Sequence, residues 1–485
     1  MNFSEVLRVS GGGPGGAGVA WSPDGRLVAW PAAPARLEVR DTATLQVLVT
    51  FTCVDAIQEV EWAPDSCYLL TACYKRGVVE VWAVGDPDWR GKVEEGAAGL
   101  VKARWAPDSR HILTTAEFYL QISIWSLVNK SIAYIRQPKG VPQGVSFSPG
   151  GEYLVVAERR EGKDSLSLFE TTSWQIVKNF PVCTKNLAGV LWAGSTTNPS
   201  TATTSTPSAM TGGVLAVWDS PLQYLVALYS MSGHCMARFS AYEMALGVWD
   251  VCWAPSGQFL AITSFDNKIR LLNHLTWGVV AEFPHTTTIT TTSSTSTSSA
   301  TVYREAKTPL TGYPATLACA RGLPTPLTSV AYHEETSRPI TLATQPSQPP
   351  AQAPRSPPAL AFSRDGRYLA TRRWDMPGVV WVWDVGRVCL KAVLVQEEAV
   401  KDMAWDPRHT RLALCTGGPH LYLWTPLGTV AVTVPHAPHL CVSALRWHPF
   451  GRSLILNGKT HLSVCFLDPP RAPLQPPRPP QDSQG

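Results

Sequence analysis

One short sequence motif recurs nine times and constrains the fold more than any other feature of this chain. It consists of an aromatic residue, a small or polar residue, usually a proline, and a turn residue that is often followed by glycine. The nine copies begin at Trp21, Trp62, Trp105, Phe147, Trp192, Trp253, Phe362, Trp405 and Trp447. Six of the eight spacings lie between 41 and 45 residues, the period of one four-stranded propeller blade.

The segments between the motifs have the pattern of β-strands. An apolar run follows each anchor aromatic, and an alternating strand comes next, as at residues 79–82, 122–125, 380–383 and 421–424. Alternation places one set of side chains against each neighbouring blade, and the aromatic residues supply most of the burial between blades. The sequence therefore predicts an all-β fold, a WD-repeat β-propeller of about nine four-stranded blades.

The two ends of the repeat array predict how the propeller closes. The last unit supplies three strands, whereas residues 3–9 precede the first anchor and have no unit of their own. An N-terminal strand that completes the last blade would remove an exposed sheet edge. We expect one closed ring within a domain of residues 1–467, and the alternative is a seven-bladed ring with extra blades.

Several segments lack the composition of a packed domain. Residues 195–213 and 286–301 are rich in serine and threonine, and residues 341–359 are rich in proline and glutamine. Residues 468–485 form a proline-rich tail. Such segments bury too little apolar surface to offset their ordering entropy, so we predict three disordered insertions and a disordered tail.

Charge and cysteine content exclude several classes of protein. The formal net charge is +4 without a long basic run, which argues against a nucleic-acid-binding face. The eleven cysteines form no C-x-x-C pair, as expected of reduced thiols in the cytosol. The N-terminus lacks the pattern of a signal peptide, and the most apolar stretch, residues 214–229, is interrupted and short. We expect a soluble intracellular protein that binds neither nucleic acid nor membrane.

No catalytic, cofactor or metal site emerges from the motifs. Phosphate-binding loops, H-E-x-x-H and G-x-S-x-G are absent. His436, His439 and Cys441 lie near His448, but prolines and the anchor turn favour a loop over a metal centre. An enzyme built on a propeller would need inward-facing carboxylates or histidines on several innermost strands, and we identify no such set. We therefore predict a binding protein without catalytic residues, cofactor or metal.

Strings that are not generic to propellers carry a more specific resemblance. They occur in order along the chain, at residues 1–6 (MNFSEV), 74–77 (YKRG), 157–160 (AERR), 240–243 (SAYE), 273–277 (NHLTW) and 415–418 (CTGG). Together they resemble the centrosomal WD-repeat protein eight family, which includes the WD-repeat protein encoded antisense to the p-seventy-three gene. The resemblance extends from residue 1 to about residue 467.

The resemblance implies a function in the cytoskeleton. Members of that family act at centrosomes, spindle poles and basal bodies, where they anchor microtubule minus ends and support spindle and cilium assembly. Their partner is a coiled-coil centrosomal protein of the synovial-sarcoma-breakpoint-interacting family, and a minus-end-directed kinesin and gamma-tubulin-associated proteins are further candidates. The alternative is a propeller like those of translation-initiation factors, which would bind RNA or the ribosome.

Some of the family strings also suggest where a partner binds. Tyr74, Lys75 and Arg76 follow a predicted strand, and Arg159 and Arg160 occupy the corresponding place two blades later. Turn geometry with solvated charge is the alternative explanation of these residues. Because propeller rims often carry partner contacts, the candidate binding residues are Tyr74, Lys75, Arg76, Arg159, Arg160 and Tyr242.

Overall fold

The computed structural model describes residues 1–10, 18–141, 143–194, 213–290, 300–309, 328–344, 360–435 and 440–467. Over these ranges the chain forms β-strands, three 3-10 helices of three residues each and no α-helix. The predicted all-β class is thus confirmed. The predicted tail at 468–485, residues 195–212 of the first insertion and most of the other two insertions lie outside the described residues.

Within the described residues, the strands assemble into nine blades, and successive strands of each blade pair antiparallel. We designate the strands of a blade A to D, from the innermost to the outermost. Two short strands at the N-terminus, β1 (Asn2–Phe3) and β2 (Leu7–Arg8), come before the first blade. Blade 1 contains β3 (Ala20–Trp21), β4 (Leu27–Ala33), β5 (Arg36–Asp41) and β6 (Val47–Thr52). Blade 2 contains β7 (Glu59–Trp62), β8 (Tyr68–Cys73), β9 (Val78–Ala83) and β10 (Arg90–Glu94). Blade 3 contains β11 (Lys102–Trp105), β12 (His111–Thr115), β13 (Gln121–Ser126) and β14 (Ile132–Arg136).

The middle blades repeat this arrangement, and the 3-10 helices lie at Tyr74–Arg76, Gly96–Ala98 and Glu117–Tyr119. Blade 4 contains β15 (Val145–Phe147), β16 (Tyr153–Arg160), β17 (Lys163–Glu170) and β18 (Ile176–Pro181). Blade 5 contains β19 (Leu187–Trp192), β20 (Leu215–Asp219), β21 (Val226–Tyr229) and β22 (Cys235–Phe239). Blade 6 contains β23 (Val248–Trp253), β24 (Phe259–Ser264), β25 (Lys268–Asn273) and β26 (Val279–Pro284).

Four additional strands separate blades 6 and 7, namely β27 (Thr288–Ile289), β28 (Thr301–Pro309), β29 (Thr328–Glu335) and β30 (Ile340–Thr341). Blade 7 contains β31 (Leu360–Phe362), β32 (Tyr368–Arg373), β33 (Met376–Asp384) and β34 (Cys389–Val395). Blade 8 contains β35 (Asp402–Trp405), β36 (Leu412–Cys415), β37 (His420–Thr425) and β38 (Gly428–Thr433). Blade 9 contains β39 (Ala444–Trp447), β40 (Ser453–Asn457) and β41 (His461–Phe466).

The hydrophobic core is divided among the gaps between blades. Each of nine clusters of buried side chains, counted over the described residues, joins two neighbouring blades. One of them combines Trp21, Val28 and Trp30 of blade 1 with Ile455 and Val464 of blade 9. Nine blades in an open array would have only eight interfaces, so the ninth interface closes the ring. The alternative of a seven-bladed ring with extra blades is excluded.

Six of the nine anchor aromatics link their A strand to the A strand before it. Every anchor is the last residue of its A strand, and the indole N–H of Trp62 donates to the carbonyl oxygen of Ala20 at 3.0 Å. The same bond recurs from Trp105, Trp192, Trp405 and Trp447 to the preceding blade. Trp21 donates to Arg446 O at 3.0 Å across the closure. Trp253 is 3% exposed, which confirms its predicted burial, but its indole N–H has no partner among the described residues.

The N-terminal strands complete blade 9, as predicted. Asn2 pairs with Phe466, and Leu7 pairs with Leu462, so both β1 and β2 lie antiparallel to β41. At the same junction His448 Nε2 lies 2.8 Å from the carbonyl oxygen of Gly25. Gly25 has a φ of 70°, and a Cβ at this position would lie 2.7 Å from the His448 ring. Only glycine therefore permits this approach of blade 9 to blade 1.

Blade 7 differs from the predicted four-stranded form. β28 pairs with its D strand, β34, in parallel and β29 pairs antiparallel with β28, so the sheet has six strands. The pair reaches blade 8, where Tyr422 donates its hydroxyl to Glu305 at 2.7 Å. The margins of two predicted insertions also differ, because β27 pairs with β30. Ile289 and Ile340 are buried in the core between blades 6 and 7, which explains why these margins are ordered.

Candidate partner-binding face

The alternation of antiparallel strands gives the propeller two distinct faces. The D–A and B–C loops lie at one end of the blades, which we call the upper face. The A–B and C–D turns lie at the opposite end, the lower face. All six candidate residues of the sequence lie in or beside loops of the upper face. They occupy three separate places, on blade 2, on blade 4 and between blades 5 and 6.

The blade 2 site is the 3-10 helix Tyr74–Arg76, which Gly77 ends with a left-handed φ of 66°. The Tyr74 hydroxyl donates to the Glu59 carboxylate and lies 3.4 Å from the backbone nitrogen of Ala103. Burial and the neighbouring Glu59 carboxylate raise the pKa of Tyr74 well above its usual value. Tyr74 therefore fixes the loop from within, and its hydroxyl already has partners inside the protein.

Lys75 and Arg76 are the exposed part of this helix. The backbone N–H of Lys75 donates to Gln58 Oε1 at 3.1 Å. The side chain of Lys75 is exposed to solvent. Arg76 Nε donates to Asp55 Oδ2 at 3.1 Å. The backbone N–H of Ala56 and, after it, the Arg76 guanidinium hold the pKa of Asp55 below its usual value. Because exposed ion pairs exchange readily, the Arg76 guanidinium remains available to a partner.

Arg159 and Arg160 end the B strand of blade 4, and both side chains are exposed. Arg159 Nη1 donates to Asn186 Oδ1 at 2.8 Å, and its Nη2 lies 3.3 Å from the carbonyl oxygen of Gly162. Arg160 Nη2 lies 3.0 Å from Glu158 Oε2. Arg159 is therefore tied to the loop between blades 4 and 5, whereas Arg160 has one ion-pair partner at the rim.

Tyr242 lies in the loop between blades 5 and 6 and is partly buried. Its hydroxyl donates to the carbonyl oxygen of Leu246 at 2.6 Å, and its ring stacks edgewise on Tyr224 with centroids 4.8 Å apart. The Arg270 guanidinium lies 5.8 Å from the Tyr242 ring. Burial raises the pKa of the Tyr242 hydroxyl. Tyr242 braces its loop, and the residues that follow it protrude.

The upper face also exposes large apolar side chains that sequence reasoning missed. Phe118, in the B–C loop of blade 3, is 87% exposed, and Met244, in the loop after Tyr242, is fully exposed. Leu120 and Leu222 are exposed on blades 3 and 5. Each is an apolar residue between two predicted strands, which is the only sequence signal of these positions. Phe118 and Met244 have φ values of 55° and 60°, a left-handed conformation that is unfavourable for such side chains.

Carboxylates on the innermost strands require a correction to the sequence analysis. Glu59 and Glu61 of blade 2, Asp250 of blade 6 and Asp402 of blade 8 all lie on A strands, so several innermost strands do carry a carboxylate. Two of them already bridge blades, as Glu61 Oε2 accepts from the Trp105 backbone N–H at 3.1 Å and Asp402 Oδ2 from that of Leu445 at 2.9 Å. Burial raises the pKa of Glu61 to about 8.

The bonds of these two carboxylates indicate a role in packing between blades. Lys102 and Arg104 of the next A strand act on the Glu61 carboxylate, and burial lowers the pKa of both cations. Asp402 faces Arg446 of blade 9, with Oδ2 and Nη1 3.5 Å apart. Charged groups that pair across neighbouring A strands hold the blades in register. They do not form the nucleophile and base arrangement of a hydrolase.

The candidate histidine cluster near the C-terminus is only partly described by the structure. His436 and His439 lie outside those ranges, and His448 is engaged with Gly25 as described above. No group of three or more His, Cys, Asp or Glu residues in the described part of the chain could hold a metal ion. The same part of the chain contains no helix long and apolar enough to cross a membrane.

Comparisons with known proteins identify a repeat family and a full-length relative. The family WD domain, G-beta repeat matches residues 231–273, which include the D strand of blade 5 and the A, B and C strands of blade 6. The WD repeat-containing protein WRAP73 of Mus musculus is 42% identical over 475 residues, covering 96% of this chain and 96% of that protein.

Solved structures give weaker likenesses. The C-terminal WD40 domain of Sif2 aligns with 89% of this chain and 98% of that chain, at 12% identity and a TM-score of 0.46. The Cps50 (Swd1) β-propeller domain of Myceliophteria thermophila aligns with 87% of this chain and 99% of that chain, at 14% identity and a TM-score of 0.39.

Proposed function

The chain belongs to the family of the WD repeat-containing protein WRAP73, and from this premise we propose that it is a non-enzymatic scaffold of the centrosome, spindle pole and basal body. In this role it binds a coiled-coil centrosomal protein of the synovial-sarcoma-breakpoint-interacting family. The complex anchors microtubule minus ends and supports spindle assembly and cilium formation. A minus-end-directed kinesin and gamma-tubulin-associated proteins are further candidate members of the complex.

One observation supports the upper face as a binding surface. This face exposes Phe118 and Met244 almost completely, and both residues are in a left-handed backbone conformation. Exposed apolar surface and backbone strain each destabilise a folded protein, and residues of this kind concentrate where ligands bind. A partner that covers both side chains would offset that free energy.

The chemistry of the upper face fits an amphipathic helix of a coiled-coil protein. Phe118 and Leu120 on blade 3 and Leu222 on blade 5 can contact an apolar stripe, which a helix presents at positions i, i+3, i+4 and i+7. Arg160 on blade 4 lies between those blades, and Arg76 lies on blade 2. Both guanidiniums can pair with glutamates beside the stripe, and arginine is enriched at the energetic centres of interfaces.

The test is a charge reversal on the upper face. The variant K75E/R76E/R160E changes three exposed residues and leaves Arg159 in place, because Arg159 holds a loop. We expect this variant to keep the wild-type melting temperature, since exposed charge changes cost little stability. It should no longer capture the coiled-coil partner in a pull-down and should fail to concentrate at spindle poles.

A matched control reverses three exposed arginines of the lower face, in the variant R26E/R387E/R452E. This variant has the same net charge as the upper-face variant and should still bind the coiled-coil partner. Phe118→Ser supplies an uncharged test of the same surface and should weaken capture. A folded upper-face variant that binds the partner and reaches the pole would exclude the upper face. Wild-type protein that never concentrates at the pole would exclude the function itself.

A further inference from the structure

We propose that the lower face of blades 7, 8, 9 and 1 binds an extended polypeptide segment in which acidic and apolar residues are mixed. The surface, which we call the arginine arc, is separate from the upper face of the proposed function. Its residues are Arg367 and Arg387 of blade 7, Arg408 of blade 8, Arg452 of blade 9 and Arg26 of blade 1. All five side chains are exposed.

The four blades present these residues on one continuous surface. Four of the five arginines lie in A–B turns, and Arg387 lies in the C–D turn of blade 7. The turns of blades 7 and 8 touch through Thr410 and Asp365, whose Oγ1 and Oδ2 atoms are 3.4 Å apart. Blades 8 and 9 touch where Arg411 Nη2 donates to the carbonyl oxygen of Gly451 at 2.9 Å.

The ring closure extends this surface to blade 1. His448 of the blade 9 turn lies 2.8 Å from the Gly25 carbonyl oxygen of the blade 1 turn, so Arg452 and Arg26 belong to adjoining turns. Arg26 and Arg452 are 426 residues apart in the sequence. The closed ring is therefore what assembles the arc from positions at opposite ends of the chain.

The exposed charge of the arc is predominantly positive. Asp24 and Asp365 are the exposed acids on these A–B turns, whereas Asp384 and Asp406 are buried. The A–B turns of blades 2, 4 and 6, by contrast, carry Asp65, Glu152 and no exposed arginine. Field from clustered guanidiniums raises the local concentration of anionic partners. The arc consequently favours an acidic ligand over a basic or neutral one.

Aromatic rings orient two of the guanidiniums. Arg367 Cζ lies 5.2 Å from the Tyr368 ring centroid, and Arg408 Cζ lies 5.2 Å from that of Phe450. Stacking restricts each side chain, and Arg367 Nη2 also lies 3.7 Å from the buried Asp384 carboxylate. A pre-oriented guanidinium can donate two parallel hydrogen bonds to one carboxylate, which gives both strength and specificity.

Apolar neighbours favour a polypeptide over a nucleic acid. Val388 is half exposed beside Arg387, and Leu427 is fully exposed in the C–D turn of blade 8. A phosphate backbone offers nothing to these side chains and would meet repulsion at Asp24 and Asp365, since its charges follow one another closely. A polypeptide can place apolar residues on Val388 and Leu427 and polar residues opposite the two aspartates.

The experiment is fluorescence anisotropy with the full chain and a fluorescein-labelled peptide of glutamates with interspersed leucines. The peptide should bind wild type, and R26E/R387E/R452E should bind it about tenfold more weakly or worse. The matched upper-face variant K75E/R76E/R160E should bind it like wild type. If the lower-face variant does not fold, R26Q/R387Q/R452Q should weaken binding in the same direction.

Several results would overturn the arginine arc. The first is that the glutamate peptide does not bind wild type. The second is that a peptide with glutamine in place of glutamate binds equally well. The third is that both charge-reversal variants weaken binding to the same extent. Tighter binding of an oligothymidylate at the same arginines would reassign the surface to nucleic acid. The readout needs neither the coiled-coil partner nor spindle poles, so this proposal and the proposed function fail independently.

Discussion

At the scale of single residues, the indole N–H of the anchor tryptophan is the bond that repeats around the ring. Six anchors donate it to the preceding A strand, and Trp253 does not. Six of these seven rings are buried, Trp405 is partly buried, and all of them pack between two blades. The same protein thus contains anchor tryptophans that both pack and donate the hydrogen bond, and one anchor, Trp253, that packs without donating it to any residue that the structure describes.

We predict different costs for two identical substitutions. Trp62→Phe removes the donor of the bond to Ala20 O, and the loss of one hydrogen bond costs about 1 kcal/mol beyond the change in packing. Trp253→Phe removes an N–H without a partner in the described residues. Urea unfolding of both variants should therefore place Trp62→Phe lower in stability. Equal losses would mean that the indole bond contributes nothing.

A second feature of single residues is a series of hydrogen bonds that joins a D–A loop to a threonine and a tryptophan of the next blade. Thr371 Oγ1 accepts from the Trp383 indole at 2.8 Å and lies 2.9 Å from His285 Nε2. Corresponding chains join Trp82 and Thr71 to Cys53, and Trp125 and Thr114 to Glu95. The residue from the D–A loop differs each time, so a D–A loop can dock on the next blade through a histidine, a thiol or a carboxylate.

The histidine form makes stability depend on pH. Burial, with a contribution from Arg373, lowers the pKa of His285 to about 3, whereas the unfolded chain has a histidine pKa of about 6.5. In the unfolded state His285 therefore binds a proton that it does not bind in the folded state. The free energy of unfolding falls as the pH drops below about 6.5. The loss approaches about 1.4 kcal/mol per pH unit for this one group.

The measurement is the free energy of unfolding between neutral pH and pH 5 for wild type and His285→Gln. The variant should start less stable, because the contact with Thr371 changes, and should lose stability more gently with acid. Burial also lowers the pKa of His420 and His448, so a residual slope of the same sign remains in the variant. Parallel pH profiles would contradict the assignment to His285.

At the scale of elements, the anchor motif predicted the blades because each anchor aromatic ends an A strand. Alternation then gave the C strands, such as β9 and β37, at nearly their observed positions. The hairpin of β28 and β29 was not predicted, because its place depends on a parallel pairing with β34 more than 80 residues later. Local patterns contain no information on such a contact, and the serine and threonine tracts around the hairpin masked its strands.

This difference changes what we expect of the insertions. Ala193 N donates to Val214 O at 2.9 Å, so β19 and β20 already meet at the point where residues 195–212 leave the sheet. Replacing residues 195–212 by a short turn should leave the melting temperature unchanged within about 3 °C. Deleting residues 286–301 should lower it clearly, since this removes β27 and the buried Ile289.

Differential scanning calorimetry of the two deletions tests this expectation, with wild type measured under the same conditions. The deletions are similar in length and composition, so they form a matched pair. A large loss from the first deletion would indicate that residues 195–212 contribute to packing. No loss from the second would indicate that β27 and β30 are dispensable for the core between blades 6 and 7.

At the scale of the whole molecule, both proposed surfaces depend on arrangement in a ring. Basic residues that are isolated in the sequence, such as Arg26 and Arg452, become neighbours only when blade 9 closes on blade 1. Sequence reasoning placed Lys75, Arg76 and Arg160 at a rim correctly, because the end of a strand can be read from alternation. It did not identify Phe118 or Met244, whose exposure follows from loop conformation rather than from residue type.

Because the ring is closed, we expect its stability not to depend on the blade at which the chain begins. Nine interfaces hold the ring, and the interface between blades 9 and 1 contains the same kinds of contact as the others. Asn2 pairs with Phe466, so the two ends of the described chain lie side by side. A short glycine and serine linker can therefore join residue 467 to residue 1 without distorting either strand.

We predict that a circular permutant with this linker, and with new termini in place of residues 195–212, folds into the same ring. All nine interfaces and the pairing of β1 and β2 with β41 are retained, so its melting temperature should lie within about 3 °C of wild type. The control is the permutant without residues 1–9, which loses buried Val9 and the strands that cover β41. This control should melt well below the permutant and associate in size-exclusion chromatography through its open sheet edge. A permutant that melts as early as its truncated control would mean that the ring needs its natural start, and that closure does more than join two equivalent blades.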